Sequence, residues 1–103
     1  MNFNPANELD NQKALELIRK IIKSKSGQII FSLHAKERMR ERSYTTDDVL
    51  HILLKGDIAS KEFHNPTQVW RYKIQSEDLA GEEGAVVTAI INSASLVVIT
   101  VLS

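Results

Sequence analysis

Hydrophobic positions divide the chain into a helical first half and a strand-rich second half. Between Leu9 and Lys25 the apolar residues recur at helical spacing and form one stripe. This pattern predicts an N-terminal helix over residues 8–25. Residues 1–7 lack it and are expected to form a loose arm. Residues 28–103 are predicted to complete a single domain of 103 residues in all.

A short strand and two short helices are predicted next. The strand covers Gln28–Leu33, and the first of the two helices covers His34–Arg42. Thr45 and Asp48 have the spacing of a capping box, which predicts that the following helix begins at Thr46 and runs to Lys55.

After Gly56, which is expected just past the end of that helix, the apolar period changes to two. Strands are predicted at Asp57–His64, Gln68–Gln75, Ala85–Asn92 and Leu96–Leu102. The last of them is almost entirely apolar and should lie inside the sheet, covered on both faces. An acidic loop is expected over residues 76–84. The element order predicts an α+β fold, with N-terminal helices packed on a mainly antiparallel sheet of four to five strands.

Composition restricts the chemistry. The chain has no cysteine, which excludes disulfide scaffolds, thiol nucleophiles and cysteine-ligated zinc, and which is typical of a reducing cytoplasm. No signal peptide is recognisable and no apolar run is long enough for a membrane-spanning helix, so we expect a cytoplasmic protein without a membrane partner. Thirteen basic and thirteen acidic residues cancel, so a nucleic-acid surface would have to come from local patterning.

Such a pattern occurs in the stretch FSLHAKERMRER, residues 31–42. On a helix, His34, Arg38 and Arg42 lie at i, i+4 and i+8, beside a core-facing stripe of Ala35 and Met39. They would then line a cleft between the helix and the sheet. The alternative is an ordinary solvated helix face, on which the histidine only caps the junction between strand and helix.

A second candidate is the polar face of the strand Gln68–Gln75. Alternation places Arg71 and Lys73 on this face, opposite Trp70, Tyr72 and Ile74. Arginine and lysine at alternate positions could contact a nucleic-acid backbone, although an ordinary solvent face would have the same pattern.

Other residues are open to two readings. Tyr72 could bind substrate but is also a good core residue, and Thr100 could face the cleft or satisfy a backbone carbonyl. Alternation also groups Ser60, Glu62 and His64 on one face.

A histidine beside two guanidinium groups suits RNA cleavage through the 2′-hydroxyl. That reaction needs a base, an acid and positive charge on the transition state, and it needs no metal. The sequence has no glycine-rich phosphate loop, no HExxH motif and no paired-histidine zinc spacing. We therefore expect no cofactor and no metal.

The same stretch, followed by TTDDVLHILLKGDI and by VVITV near the end, resembles the bacterial domain-of-unknown-function family 4258. That family looks related to ribonuclease toxins of the RelE and barnase–EndoU–colicin type, which are compact, metal-free α+β proteins. The resemblance implies a metal-independent RNA endonuclease, the toxin of a toxin–antitoxin pair, with RNA as substrate and a cognate antitoxin as partner. The family pattern has glycine where this chain has Ser43.

Carried over by position, the resemblance assigns catalysis to His34, Arg38, Arg42 and, more loosely, Arg71. Lys73, Tyr72 and Thr100 would bind substrate. The alternative function is an inactive module of the same fold that binds a protein partner or RNA without cleaving it.

Overall fold

A computed structural model of the protein describes residues 3–102. Three helices and a five-stranded sheet make up this part of the chain. The strand order is β1-β5-β4-β3-β2; β1 and β5 are parallel, and the other neighbours are antiparallel. The elements are α1 (Asn11–Lys23), β1 (Gln28–Phe31), α2 (Leu33–Arg42), α3 (Thr46–Lys55), β2 (Asp57–His64), β3 (Val69–Glu77), β4 (Glu83–Asn92) and β5 (Ser95–Leu102).

The predicted α+β class and the antiparallel meander of the last four strands are confirmed. The sheet as a whole is mixed, because β1 joins it parallel to β5. As expected, β5 lies inside the sheet, between β1 and β4.

Helix caps explain where the element boundaries differ from prediction. α1 is shorter than residues 8–25 because the Asp10 side chain accepts the N–H of Lys13 and starts the helix there. β1 ends at Phe31 because Ser32 caps α2, its hydroxyl accepting the N–H of Ala35. The capping box of α3 is present as predicted.

The core lies on one side of the sheet. The first face of the sheet, which carries Tyr72 and Ile74, packs against buried residues of α1 and α3. These helical residues are Ala14, Ile18, Ile21, Val49, Ile52 and Leu53. On the second face, Val97 and Thr100 of β5 are only half-buried, whereas Leu96 and Val98 on the first face are fully buried. We expected β5 to be covered on both faces, but it is fully covered only on the first face.

The expectation of a loose arm over residues 1–7 is wrong for the described part of that segment. The backbone N–H of Trp70 donates to the Pro5 carbonyl at 3.1 Å, and its indole Nε1 donates to the Ala6 carbonyl at 3.1 Å. Two residues further on, the N–H of Leu9 donates to the hydroxyl of Tyr72 at 3.0 Å. This segment is therefore fixed against β3. Residues 1 and 2 lie outside the described residues.

The acidic loop is shorter than predicted, because β3 extends to Glu77 and β4 begins at Glu83. Asp78, at the start of the loop, is buried and accepts the hydroxyl of Tyr44 at 2.8 Å. It also accepts the backbone N–H groups of Ala80 and Glu82. The backbone donor of Glu82, followed by the Tyr44 hydroxyl, lowers the pKa of the Asp78 carboxyl. Burial, together with this hydrogen bond, raises the pKa of Tyr44 to about 12.

The end of α2 gives a stability prediction. Ser43, the C-cap residue of α2, has the left-handed conformation, with φ 57°. A side chain at such a position is unfavourable, so we expect Ser43→Gly to raise the free energy of unfolding by about 0.5–1 kcal/mol. Urea denaturation measures the change. Ser24→Gly is the matched control, because Ser24 ends α1 in an extended conformation with φ −80° and should gain nothing. Equal effects of both substitutions would contradict the strain at Ser43.

Tyr44 gives a pH prediction. Its folded pKa lies above its unfolded value of 10.0, so the folded state favours the neutral phenol. The stabilisation is complete below pH 10 and is lost as the pH rises from 10 towards 12. Over this range the difference in unfolding free energy between wild type and Tyr44→Phe should shrink. Denaturation curves at a series of alkaline pH values test this; parallel pH profiles for the two proteins would show that Tyr44 titrates normally.

Candidate nucleic-acid interface

Arg71 and Lys73 lie on the second face of the sheet, as the alternation of β3 predicts. Their cross-strand neighbours in β2 are Glu62 and Ser60, respectively. Together with Lys61 and Val87, these residues line a depression of about 230 Å³. Within residues 3–102, the side chains of Arg71 and Lys73 form no hydrogen bond or ion pair. Both positive charges are therefore available to an anionic ligand.

Thr100 lies on the same face. It pairs with Val87 of β4, which in turn pairs with Lys73 of β3. Two strand spacings separate Thr100 from Lys73, a backbone distance of roughly 10 Å. The Thr100 hydroxyl oxygen and the Nε atom of Arg71 are buried and lack a hydrogen-bond partner among the described residues. Buried polar atoms are usually paired, so these two atoms have unused hydrogen-bonding capacity, although neither is exposed at the surface.

α2 begins beside Thr100. The N–H of Ser32 donates to the Val98 carbonyl at 3.1 Å, and its hydroxyl donates to the Ile99 carbonyl at 2.9 Å. These bonds fix the start of α2 against β5, one residue before Thr100. They also correct the alternative in which His34 caps the junction, because Ser32 is the cap.

The two flanks of α2 have different neighbours. Lys36 and Arg40 line a groove with Ile29 and Phe31, which are on the first face. At 100° per residue, His34 and Arg38 lie on the opposite flank of the helix, away from this groove. Neither of them lines the depression beside Arg71 and Lys73, so the structure does not bring the predicted residues of α2 and β3 into one cleft.

Arg38 has one long ion pair, in which Nη1 lies 3.6 Å from Glu41 Oε1. Its Nε atom is buried and has no hydrogen-bond partner within residues 3–102. His34 is exposed, and its ring makes no hydrogen bond with any other described residue. Ser32 is the cap, so the alternative in which His34 caps the junction is excluded. No contact with another described residue fixes the orientation of the imidazole.

The structure separates two of the predicted site residues from this surface. Arg42 lines a different depression with Tyr44, Asp78 and Glu82, at the acidic loop. Tyr72 is only 2% exposed, on the first face, where its hydroxyl accepts the N–H of Leu9. The prediction that Tyr72 contacts substrate conflicts with this burial.

Two residues that were given no role belong to the candidate site. Ser60 and Glu62 line the depression beside Lys73 and Arg71. The alternation that grouped them with His64 was the available signal. His64 itself forms a turn contact, with Nδ1 2.7 Å from the hydroxyl of Thr67.

Residues 3–102 contain no group of three or more histidine, aspartate or glutamate side chains that could hold a metal ion. None of the three described helices is long and apolar enough to cross a membrane.

Comparisons with known proteins identify the family alone. Neither a curated protein nor a solved structure gives a significant match to the chain. One family model matches residues 31–103, which include α2, α3 and the four strands that follow them, but neither α1 nor most of β1. The match covers well over half of the sequence, and the chain belongs to the family described as domain of unknown function DUF4258.

Proposed function

We propose that the protein is a metal-independent RNA endonuclease and the toxin of a toxin–antitoxin pair, with a cognate antitoxin as its protein partner. One observation carries the proposal: Arg71 and Lys73 lie unpaired on the second face, beside two buried polar atoms without partners, Arg71 Nε and Thr100 Oγ1. Positive charges and polar donors on one face are the groups that bind a phosphodiester backbone. A relation of the DUF4258 family to RelE-type and barnase-type ribonucleases is part of this proposal and implies the same class.

The reaction needs two proton-transfer groups near the phosphate. A base removes the proton of the 2′-hydroxyl, the freed oxygen attacks phosphorus, and an acid protonates the departing 5′-oxygen. Glu62 lies directly opposite Arg71 and is proposed as the base. His34 is proposed as the acid, on the basis of the family resemblance.

Charge stabilisation is assigned to the basic groups. Arg71 and Lys73 would bind the scissile phosphate and its neighbour. The Thr100 hydroxyl is buried, and it would have to become accessible before it could donate to a phosphate oxygen. Arg38 of α2 is proposed to contribute a second guanidinium. A guanidinium matches two phosphate oxygens at once, which an ammonium group cannot do. Arg42, which lies at the acidic loop, is proposed to support the helix end and not to contact RNA.

One observation favours a second function, that of an RNA-binding module without catalysis. His34 is exposed and has no hydrogen bond to another described residue that would orient its ring. Catalytic imidazoles are normally held by such a bond. The formal net charge of zero also lowers nonspecific affinity for RNA. Binding through Arg71 and Lys73 would persist in this case, so the two functions differ only in cleavage.

Cleavage is the first test. Purified protein incubated with total RNA, with and without ribosomes, should degrade RNA, and EDTA should not prevent it. His34→Ala and Glu62→Gln should each abolish cleavage. Arg38→Lys should slow it by about a hundredfold, because the lysine cannot form the forked contact. Lys20→Ala on α1 is the control, since Lys20 is exposed on a different helix. Thermal unfolding of each variant verifies that the fold is kept.

The outcomes separate the possibilities. Intact RNA in every reaction contradicts the endonuclease and leaves the binding module. Cleavage that EDTA abolishes contradicts the metal-free mechanism.

Phosphate binding is tested separately by salt dependence. Fluorescence anisotropy with labelled oligouridine gives the affinity at several salt concentrations. Arg71→Ala and Lys73→Ala should each weaken binding and reduce the slope of log K against log salt by about 0.7, the value for one phosphate contact on a single strand. His34→Ala should leave the slope unchanged. A slope that is unaffected by either basic substitution would show that RNA binds elsewhere.

A further inference from the structure

The outer edge of β1 is open. β1 is the terminal strand of the sheet, and within residues 3–102 no strand pairs with its outer side. The N–H groups of Gln28 and Ser32 donate to Ala94 and Val98, on the side of β5. Because backbone direction alternates along a strand, the N–H and C=O groups of Ile29 and Phe31 point outward. An open edge of this kind is a template for pairing with another strand.

An apolar groove adjoins this edge. Ile29, Phe31, Met39 and Tyr44 line it on the first face of the sheet, and its volume is about 530 Å³. The same two β1 residues thus provide both the free backbone groups and part of the groove wall. Natural edge strands are usually protected by charges or by proline. Here the neighbouring apolar side chains are exposed instead, Ile30 by 48% and Leu33 by 73%.

The rim of the groove is basic. Lys36 and Arg40, one turn apart on α2, line it and are exposed. Neither side chain forms a hydrogen bond or an ion pair with any other described residue. The groove therefore combines an apolar floor, an open strand edge and two unpaired positive charges.

We propose that this edge is the docking site for an extended, acidic segment of a protein partner, which adds to the sheet as a strand beside β1. Its backbone would pair with Ile29 and Phe31. Its apolar side chains would fill the groove, and its carboxylates would reach Lys36 and Arg40. A second copy of the chain fits less well, because two-fold pairing of β1 edges would bring two basic rims together.

This site is distinct from the surface proposed for RNA and does not depend on RNA cleavage. Lys36 and Arg40 lie on the flank of α2 that lines the first face, whereas Arg71 and Lys73 lie on the second face. Failure of the RNA assays would not affect the proposal for the β1 edge. Failure of the peptide assays would not affect the proposal for RNA.

The test uses a synthetic peptide and the full chain labelled with nitrogen-15. The peptide is acetylated and has two halves. Threonine alternates with valine in the first half and with glutamate in the second half. A second peptide with the reversed sequence is used as well, so that both parallel and antiparallel pairing with β1 are tested. Titration should shift the amide resonances of Ile29 and Phe31, with a Kd on the order of 1 mM or tighter. A version N-methylated at every amide should not bind, because neither of its edges retains an N–H group that can pair with β1.

Charge reversal gives the matched control. Lys36→Glu combined with Arg40→Glu should weaken binding of the glutamate peptide about tenfold. The same double variant should bind a lysine version of the peptide better than wild type does. Lys20→Glu on α1 should change neither affinity.

Three results would overturn the proposal. These are the absence of shifts at Ile29 and Phe31 with both peptides, equal affinity for the lysine and glutamate versions, and a dimer of the free protein whose interface protects these two amides from hydrogen exchange. The last result would assign the edge to a second copy.

Discussion

The alternation of side chains along β3 ties the core to the candidate site. Tyr72 and Ile74 are buried on one face, and Arg71 and Lys73 lie between and beside them on the other. A slip of one residue in the pairing of β3 would bury the two charges and expose the core, so the register is strongly specified. Burial of an unpaired charge costs several kcal/mol. The stability of the core therefore keeps both basic residues on the second face.

The N-terminal segment reinforces this register from outside the region matched by the family. Trp70 and Tyr72 are held by hydrogen bonds to Pro5, Ala6 and Leu9. The N-terminal segment does not cover the opposite face of this strand, where Arg71 and Lys73 are half-buried. The segment before residue 31 thus covers the first face of β3 and helps to present its second face.

The parts of the fold that were predictable from sequence depend on local signals. The capping box of Thr45 and Asp48 fixed α3, and period-two alternation identified both faces of β3. The parallel pairing of β1 with β5 was not predictable, because it joins segments far apart in sequence and leaves no local pattern. The docking of residues 3–7 was missed for the same reason, since its hydrogen bonds use backbone carbonyls, which every residue has.

The candidate site was also predicted only in part: the features with a local sequence signal were predicted, and the contacts between distant segments were not. Alternation placed Arg71 and Lys73 correctly. It describes one strand at a time, so it could not show that Glu62 and Ser60 of β2 lie opposite them. The resemblance led to the prediction that Tyr72 binds substrate. The alternation of its strand already favoured a core position, and Tyr72 is buried.

The helical projection that joined Arg42 to His34 and Arg38 has a different limit. It describes a single helix and does not include the acidic loop, which comes next to Arg42 in the folded chain. His34, Arg38 and Arg42 share one flank of α2. Arg42 lies at the end of the helix, where the acidic loop is its neighbour, and His34 lies at the other end with different neighbours.

The two proposed surfaces place a constraint on how a partner could inhibit the protein. Three strand spacings separate β1 from β3, a distance of roughly 14 Å across the sheet. A segment paired with β1 alone would leave Arg71 and Lys73 open to RNA, on the other face. If the second face binds RNA as proposed, a partner would have to continue around the sheet edge onto that face in order to inhibit the protein directly. A partner confined to the groove would recruit or localise the protein while leaving its second face accessible.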